Sequence, residues 1–439
     1  MRTVVAKFGG SSLADAERIS EVLKIVRENP DLRYVVVSAP GKRYEEDYKI
    51  TNLLVAANQA GNRENDMHLV GERFLTICED LGISQALRDD IIGEILRLTP
   101  HPDPHEESAA LHTETLALGE RLCAPIVAEK LGWPVVDPKD LITLRSDGSY
   151  DPGAPRKTEL PPYAVIPGYY AAGPEGETVL FPRNGSDISG AIVSAIARAD
   201  VYENWTDTNG ILMTDPKVVR APSSIPELTR DELQELAYRG TTVLHGDSLY
   251  PLMGTDIPVH VRNTLNPSHP GTLVVRDASL LTAPRHPVVA IAGRRGFAVV
   301  TLHKIGMNQK RGFLADLCHV FDEVGISIEL APGGINSQSL VVADEELKGK
   351  EELLEKAVTF SCEPDRLLLE RNSLALLCIV GETMSHQHGV AARALTAIAK
   401  AGVNVRVIDQ GASEISIIIG VDNADYETAV RALYAEFSA

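Results

Sequence analysis

Lys7-Phe8-Gly9-Gly10-Ser11-Ser12 governs how this 439-residue chain is read, because a lysine closes an apolar strand and two glycines follow it at once. Thr3 to Ala6 predicts a buried strand, and Ala14 to Arg27 places Ile19, Val22, Leu23 and Val26 at helical spacing. Strand, glycine turn and helix together outline a phosphate cradle. Glycines let backbone N–H groups approach an anion, the helix aims its positive end at the same point, and Lys7 adds a full charge. The spacing matches neither the P-loop nor the dinucleotide fingerprint, so a different nucleotide fold is required. Taken alone, a Gly-Gly turn after a strand is also ordinary punctuation.

The length predicts two or three domains. A formal net charge of −19 argues against nucleic acid or anionic membranes as partners, since both would be repelled. An anionic substrate would meet the same field, which singles out the cations beside glycine turns, Lys7 and Arg183. The chain enters a strand without a basic-then-apolar leader and has no apolar run of membrane length, so a cytoplasmic protein is expected. Cys78, Cys123, Cys318, Cys362 and Cys378 form no C-x-x-C pair and read as free thiols. The spacing of His101, His105 and His112 spans a Pro-rich loop that fixes no cysteine or acidic partner beside them, and no metal site is expected there.

Up to a linker at Pro284–Pro287, strand candidates (Tyr34–Ser38, Pro134–Val136, Ala164–Ile166, Val201–Trp205, Pro258–Val261) alternate with helical stretches (Asn52–Ala60, Leu116–Leu131, Ser186–Arg198). This predicts an α/β fold with an open, mostly parallel sheet sandwiched by helices over residues 1–285. Beyond the linker the chain repeats itself. Gly312 and Gly389, Gly325 and Gly402, and Ser339 and Ser416 are each 77 residues apart. The copies predict two βαββαβ modules, 296–365 and 372–439, with strands at Gly325–Ile328 and Gly402–Val405 and room for interleaving. Neither copy has carboxylates, His or Cys clustered at the spacing of a catalytic site, so ligand sensing or dimerisation is expected of them.

Three further stretches carry chemistry. Gly119-Glu120-Arg121 opens or lies early in a helix, where a Glu-Arg pair also reads as a solvated face. Arg183-Asn184-Gly185-Ser186-Asp187 follows a strand (Thr178–Phe181) and begins a small-residue helix; its guanidinium can clamp a carboxylate, and Asp187 also suits a helix N-cap. Thr206 and Asp207 end another strand, followed by a glycine loop to Asp215-Pro216-Lys217, as contacts to a base and ribose require.

Together these motifs resemble the aspartate kinases of the amino acid kinase superfamily over essentially the whole chain. The carriers are K-F-G-G-S-S (Lys7–Ser12), G-E-R-L (Gly119–Leu122), R-N-G-S-D (Arg183–Asp187), T-D-x-x-G-I (Thr206–Ile211) leading to T-D-P (Thr214–Pro216), V-L-H (Val243–His245) and N-T-x-N-P (Asn263–Pro267). Paired ACT modules follow in the family as the 77-residue repeat does here. Asn184 stands where the family has glycine, Thr242 where many members have lysine, Lys217 where arginine is usual and Leu212 where tyrosine is frequent.

The resemblance implies transfer of the γ-phosphoryl of ATP, with Mg2+, to the β-carboxylate of L-aspartate. Lys7 would stabilise the transferring group, helped by the N–H groups of Gly9 and Gly10, and Asp187 would orient Lys7. Arg183 would clamp a substrate carboxylate and Glu120 would accept the α-ammonium, with Ser11, Thr51 and Ser186 lining the acceptor pocket. Thr206, Asp207, Leu212 and Lys217 would hold the nucleotide. A sister kinase for glutamate, acetylglutamate or UMP, and a non-catalytic amino-acid sensor, are the alternatives. Free L-lysine is the expected effector, held in the first ACT-like copy by Met307, Phe313, Leu314, Ser327, Ile328 and Glu329. The second copy has Arg406 at the position of Glu329. A homodimer or dimer of dimers through the ACT modules is expected.

Overall fold

The computed structural model describes residues 2–59, 62–99, 109–182, 184–238, 240, 244, 246–282 and 285–438. In chain order the first part runs β1 (Val4–Phe8), α1 (Ala16–Glu28), β2 (Leu32–Val37), α2 (Ile50–Ala57), α3 (Arg63–Leu81), α4 (Gln85–Leu98) and α5 (Ala109–Leu131). It continues with β3 (Ala164–Pro167), β4 (Tyr170–Ala172), β5 (Thr178–Leu180), α6 (Gly185–Ala197), β6 (Val201–Thr206), β7 (Glu227–Thr229), α7 (Arg230–Tyr238), β8 (Val259–Asn263) and β9 (Thr272–Val275). Seven strands form one sheet in the order β3-β2-β1-β6-β8-β9-β7, parallel except between β8 and β9. Strand alternation sorts β1: Val4, Ala6 and Phe8 join the core formed with α1 to α5, and Lys7 is left to the face that α6 covers. Crossovers leave β1 and β6 in opposite directions, which opens a crevice at their carboxyl ends, the ligand position of open α/β sheets.

Local expectations change in places. Pro134–Val136 is a single bridge from Val135 to Val165, since Pro134 offers no N–H to a ladder. Thr178–Leu180 pairs antiparallel with β4 in a separate hairpin. Gly119 lies mid-helix rather than at a helix start, because α5 begins at Ala109.

The chain divides into two compact units. Leu212–Ser223 and Gln234–Thr241 belong with Ala283–Ala439 in the second. Met213 accepts from the Ile291 N–H at 2.7 Å, and Val218 accepts from Arg431 Nε at 3.1 Å. This unit holds β10 (Ala290–His303), α8 (Phe313–Val324), β11 (Ser337–Ala343), α9 (Asp344–Leu347), α10 (Glu351–Cys362), β12 (Arg366–Val380), α11 (Val390–Lys400), β13 (Val405–Asp409), β14 (Ser416–Asp422) and α12 (Tyr426–Phe437). One antiparallel sheet in the order β11-β10-β12-β14-β13 runs through both repeats.

The two repeats interleave in that sheet. Phe297–His303 of β10 lies between β11 and the start of β12, whereas Ala290–Arg294 lies beside Leu376–Val380, which β14 flanks. The repeated glycines have a shared cause: Gly312 and Gly389 cap α8 and α11 with φ of 78° and 88°, and Gly325 and Gly402 follow those helices with φ of 69° and 76°. The expected strand at Gly325–Ile328 is absent. Pairing begins only at Leu330, which bridges to Val341, and resumes as a single bridge from Gly333 to Gln338 beyond Pro332. Among the described residues no helix is long and apolar enough to cross a membrane.

Candidate active site

Lys7 is 8% exposed, and its Nζ lies 2.6 Å from Asp187 Oδ1. Two residues of β6 that carried no signal in the sequence complete the arrangement. Asn204, in register with Lys7, donates to Asp187 Oδ1 at 2.7 Å, and the Tyr202 hydroxyl donates to the Asp187 carbonyl at 3.1 Å. Asp187 therefore acts from inside the first turn of α6, where its charge also suits the helix dipole, and the N-cap position falls to Asn184. Asn184 adopts φ 64°, ψ 27°, a left-handed geometry that asparagine tolerates, so the turn survives without the usual glycine.

The glycine turn differs from expectation in one donor. The Gly9 N–H is bonded to the Trp205 carbonyl at 3.0 Å and is not available to a phosphate. The Ser12 N–H closes the turn on the Gly9 carbonyl at 3.0 Å, which leaves the N–H groups of Gly10 and Ser11 as its first donors. Ser12 Oγ and Thr264 Oγ1 meet at 2.7 Å, tying this turn to the Asn263–Pro267 segment, whose Asn263 donates to Asn209 at 2.8 Å.

Glu120 is 2% exposed, so the solvated-face reading of Gly119-Glu120-Arg121 fails for Glu120; Arg121 instead pairs with Glu94. Burial pushes the Glu120 carboxyl up to about 8, although the Ala39 N–H, the Ser186 hydroxyl and the Lys7 charge act in the opposite sense. Its Oε2 has no hydrogen-bond partner. A buried carboxylate oxygen left open is suited to a cationic ligand. Gly119 permits this placement: a Cβ there would lie 2.5 Å from the Ala39 Cβ. Gly119→Ala is accordingly expected to destabilise the fold by about 1–3 kcal/mol, read from urea unfolding.

Of the other expected site residues, Thr51 lies in the first turn of α2 and Ser186 in that of α6. Thr206 and Asp207 sit at the carboxyl end of β6, joined at 3.4 Å through the Thr206 hydroxyl. Leu212 and Lys217 belong to the second unit, where Lys217 is exposed. Arg183, Thr242, Val243, His245, His101 and His105 lie outside the described residues, and His112 is exposed on α5.

In the second unit, the residues expected to hold an effector are partly occupied. Glu329 Oε1 accepts from Arg294 Nη2 at 2.9 Å, and the Ser327 N–H donates to Glu346 at 2.6 Å. Phe313 and Leu314 form the first turn of α8, Met307 is buried in the turn before it, and Ile328 packs against the core that includes both Met307 and Phe313. Arg406, at the corresponding place of the second repeat, pairs with Glu370 and Asp422.

The sequence pattern of the amino acid kinase family matches residues 2–263, and that of the ACT domain matches residues 377–437. Aspartokinase 3 of Bacillus subtilis is 34% identical over 99% of this chain and 98% of its own length. The crystal structure of Clostridium acetobutylicum aspartate kinase superposes with a TM-score of 0.85 at 34% identity, covering 100% of both chains. Escherichia coli aspartokinase III, solved with aspartate and ADP and again with lysine and aspartate, gives TM-scores of 0.75 and 0.76 at 26% and 27% identity, also covering 100% of both chains.

Proposed function

The chain belongs to the aspartokinases of the amino acid kinase family, and from that membership and the Lys7 site we propose that it transfers the γ-phosphoryl of ATP to the β-carboxylate of L-aspartate. The observation that carries this reading is the buried Lys7–Asp187 pair on the same face of β1 as α6, together with a buried Glu120 whose Oε2 is open. A carboxylate is already nucleophilic at neutral pH, so no general base is needed; positioning and charge neutralisation suffice. Lys7 meets the transferring group, aided by the Gly10 and Ser11 N–H groups, and Asp187 with Asn204 fixes where its ammonium points. Glu120 receives the α-ammonium, Arg183 takes a substrate carboxylate, and Thr51 and Ser186 line the acceptor pocket. Thr206, Asp207, Leu212 and Lys217 serve the nucleotide.

Mg2+ accompanies ATP and takes its ligands mainly from phosphates and water. When bound, the ion supplies charge neutralisation on the phosphates. We further read residues 1–285 as the catalytic domain, the first ACT-like module as inserted into the second, and the modules as the contact of a cytoplasmic homodimer or dimer of dimers.

The test is turnover of ATP with candidate acceptors in the presence of hydroxylamine. Aspartate should give a hydroxamate and ADP. Turnover with glutamate, acetylglutamate or UMP but not aspartate overturns the reading.

L-lysine is the effector this reading favours, held by Glu329 and the first turn of α8. Because Arg294 already occupies Glu329, the lysine ammonium must displace it. Arg294→Ala should therefore lower the lysine concentration for half-inhibition, and Glu329→Ala should raise it on the order of 10-fold or more, the usual scale of one coupling contact. A lysine titration with threonine as control decides; equal curves for wild type and Glu329→Ala remove Glu329 from the site.

A further inference from the structure

Arg73 lies on α3, outside every motif above, and is 6% exposed. Its Nη2 donates to both oxygens of Asp47 at 2.7 Å and to the Tyr48 carbonyl at 3.3 Å. Its Nη1 donates to the carbonyls of Gly41 at 3.1 Å and Ala14 at 3.5 Å. Arg43 holds Asp47 from the other side, with Nε at 3.0 Å and Nη2 at 3.1 Å. Burial acts to raise the Asp47 carboxyl, but the hydrogen bonds from Arg43 and the Arg73 charge outweigh it and hold it well below the usual carboxylate range.

One guanidinium thus grips two loops. Ala14 directly follows the glycine turn, and Gly41 faces it: the Gly41 N–H donates to the Gly10 carbonyl at 2.8 Å. A Cβ on Gly10 would come within 2.8 Å of the Ala39 carbonyl, and one on Gly41 within 2.7 Å of Gly10. Backbones packed this closely transmit any displacement of one loop to the other. At its far end the same segment returns to the site, because the Pro40 carbonyl accepts from Ile50 at 3.1 Å, immediately before Thr51.

We propose that Arg73 and Asp47 are positioning residues for the aspartate side of the reaction, latching segment 39–51 so that Gly10, Thr51 and the Ala39 N–H facing Glu120 keep their places. A buried ion pair is poor evidence for stability by itself, since its desolvation offsets most of its attraction. Its reach to Gly41 and Ala14 is what gives it a role in the site. The inference rests on the aspartate kinase reading.

The test compares Arg73→Lys, Asp47→Asn and the milder Arg43→Ala in the full chain, with ATP and aspartate varied separately. Arg63→Lys is the control: it is equally buried on α3 but bonds to Leu98, Ala57, Asn58 and Thr115, outside both loops. Arg73→Lys and Asp47→Asn should raise the aspartate KM about 10-fold or more and Arg43→Ala about threefold, with the ATP KM changed less than about twofold, as expected for loss of acceptor positioning. Amide exchange across 39–51 should accelerate in Arg73→Lys, whereas Arg63→Lys should lower only the melting temperature. Unchanged aspartate KM in folded Asp47→Asn and Arg43→Ala overturns the proposal, as does an equal rise in both KM values. If Arg73→Lys does not fold, those two variants decide. A wild type inactive on aspartate would sink the kinase reading instead, while the exchange rates would still report whether the latch holds the loop.

Discussion

Lys7→Ala should reduce turnover on the order of 10²-fold or more while leaving the aspartate KM close to wild type, the pattern of a preorganised charge used mainly in the transition state. Lys7 is fixed before substrate arrives, by the 2.6 Å contact to Asp187 and by the Asn204 amide that holds the same oxygen. Its removal also leaves Asp187 buried with a neutral partner only, which is expected to cost about 3–5 kcal/mol of stability. The double variant Lys7→Ala/Asp187→Asn removes that uncompensated charge. It should regain stability in urea unfolding without regaining turnover, which separates the chemical role from the structural one. A raised aspartate KM at unchanged kcat would assign Lys7 to ground-state binding and refute its role.

Glu120→Gln is expected to give the second large effect, an aspartate KM raised on the order of 10- to 100-fold, because a buried charge-assisted contact to an ammonium becomes a neutral one. The two forms of Glu120 also make a pH signature. In the free protein its carboxyl is raised from 4.5 to about 8, so the group is largely neutral at pH 7, and an ammonium must draw off its proton. Aspartate affinity should therefore strengthen in the wild type as pH rises from about 6 through about 8, and remain flat in Glu120→Gln. Stability runs the other way. A carboxyl whose folded value is raised binds its proton more tightly when folded, so its contribution is full below about 4.5 and lost as pH rises through about 8. The melting temperature of the wild type should fall across that window relative to Glu120→Gln. Parallel pH profiles of KM in the two proteins would exclude Glu120 from the ammonium site.

Much of the site was legible because its chemistry is local. Lys7 after an apolar run, glycines where a turn needs them and Asp187 at a helix start all lie within a few residues of the feature that explains them. The resemblance then extended these to Glu120, where the residues alone also allowed an exposed ion pair. The exposed pair is excluded by burial of Glu120 beside the close packing of Gly119 on Ala39, a contact made across 80 positions of sequence.

The sequence by itself determined the alternation that makes a mostly parallel sheet, the lysine at the end of β1, the tolerance of Asn184 for a left-handed turn and the 77-residue duplication. Each follows from backbone sterics or from side-chain periodicity inside one window. Tertiary structure alone decided that the Gly9 N–H goes to Trp205, that Asn204 and Tyr202 hold Asp187, that Arg73 reaches Asp47 and Gly41, and that β10 and β12 are each shared between the two repeats. Those outcomes depend on which strands become neighbours and which helix covers each face. Strand neighbourhood is set by burial summed over a whole unit, and no short stretch of residues contains it.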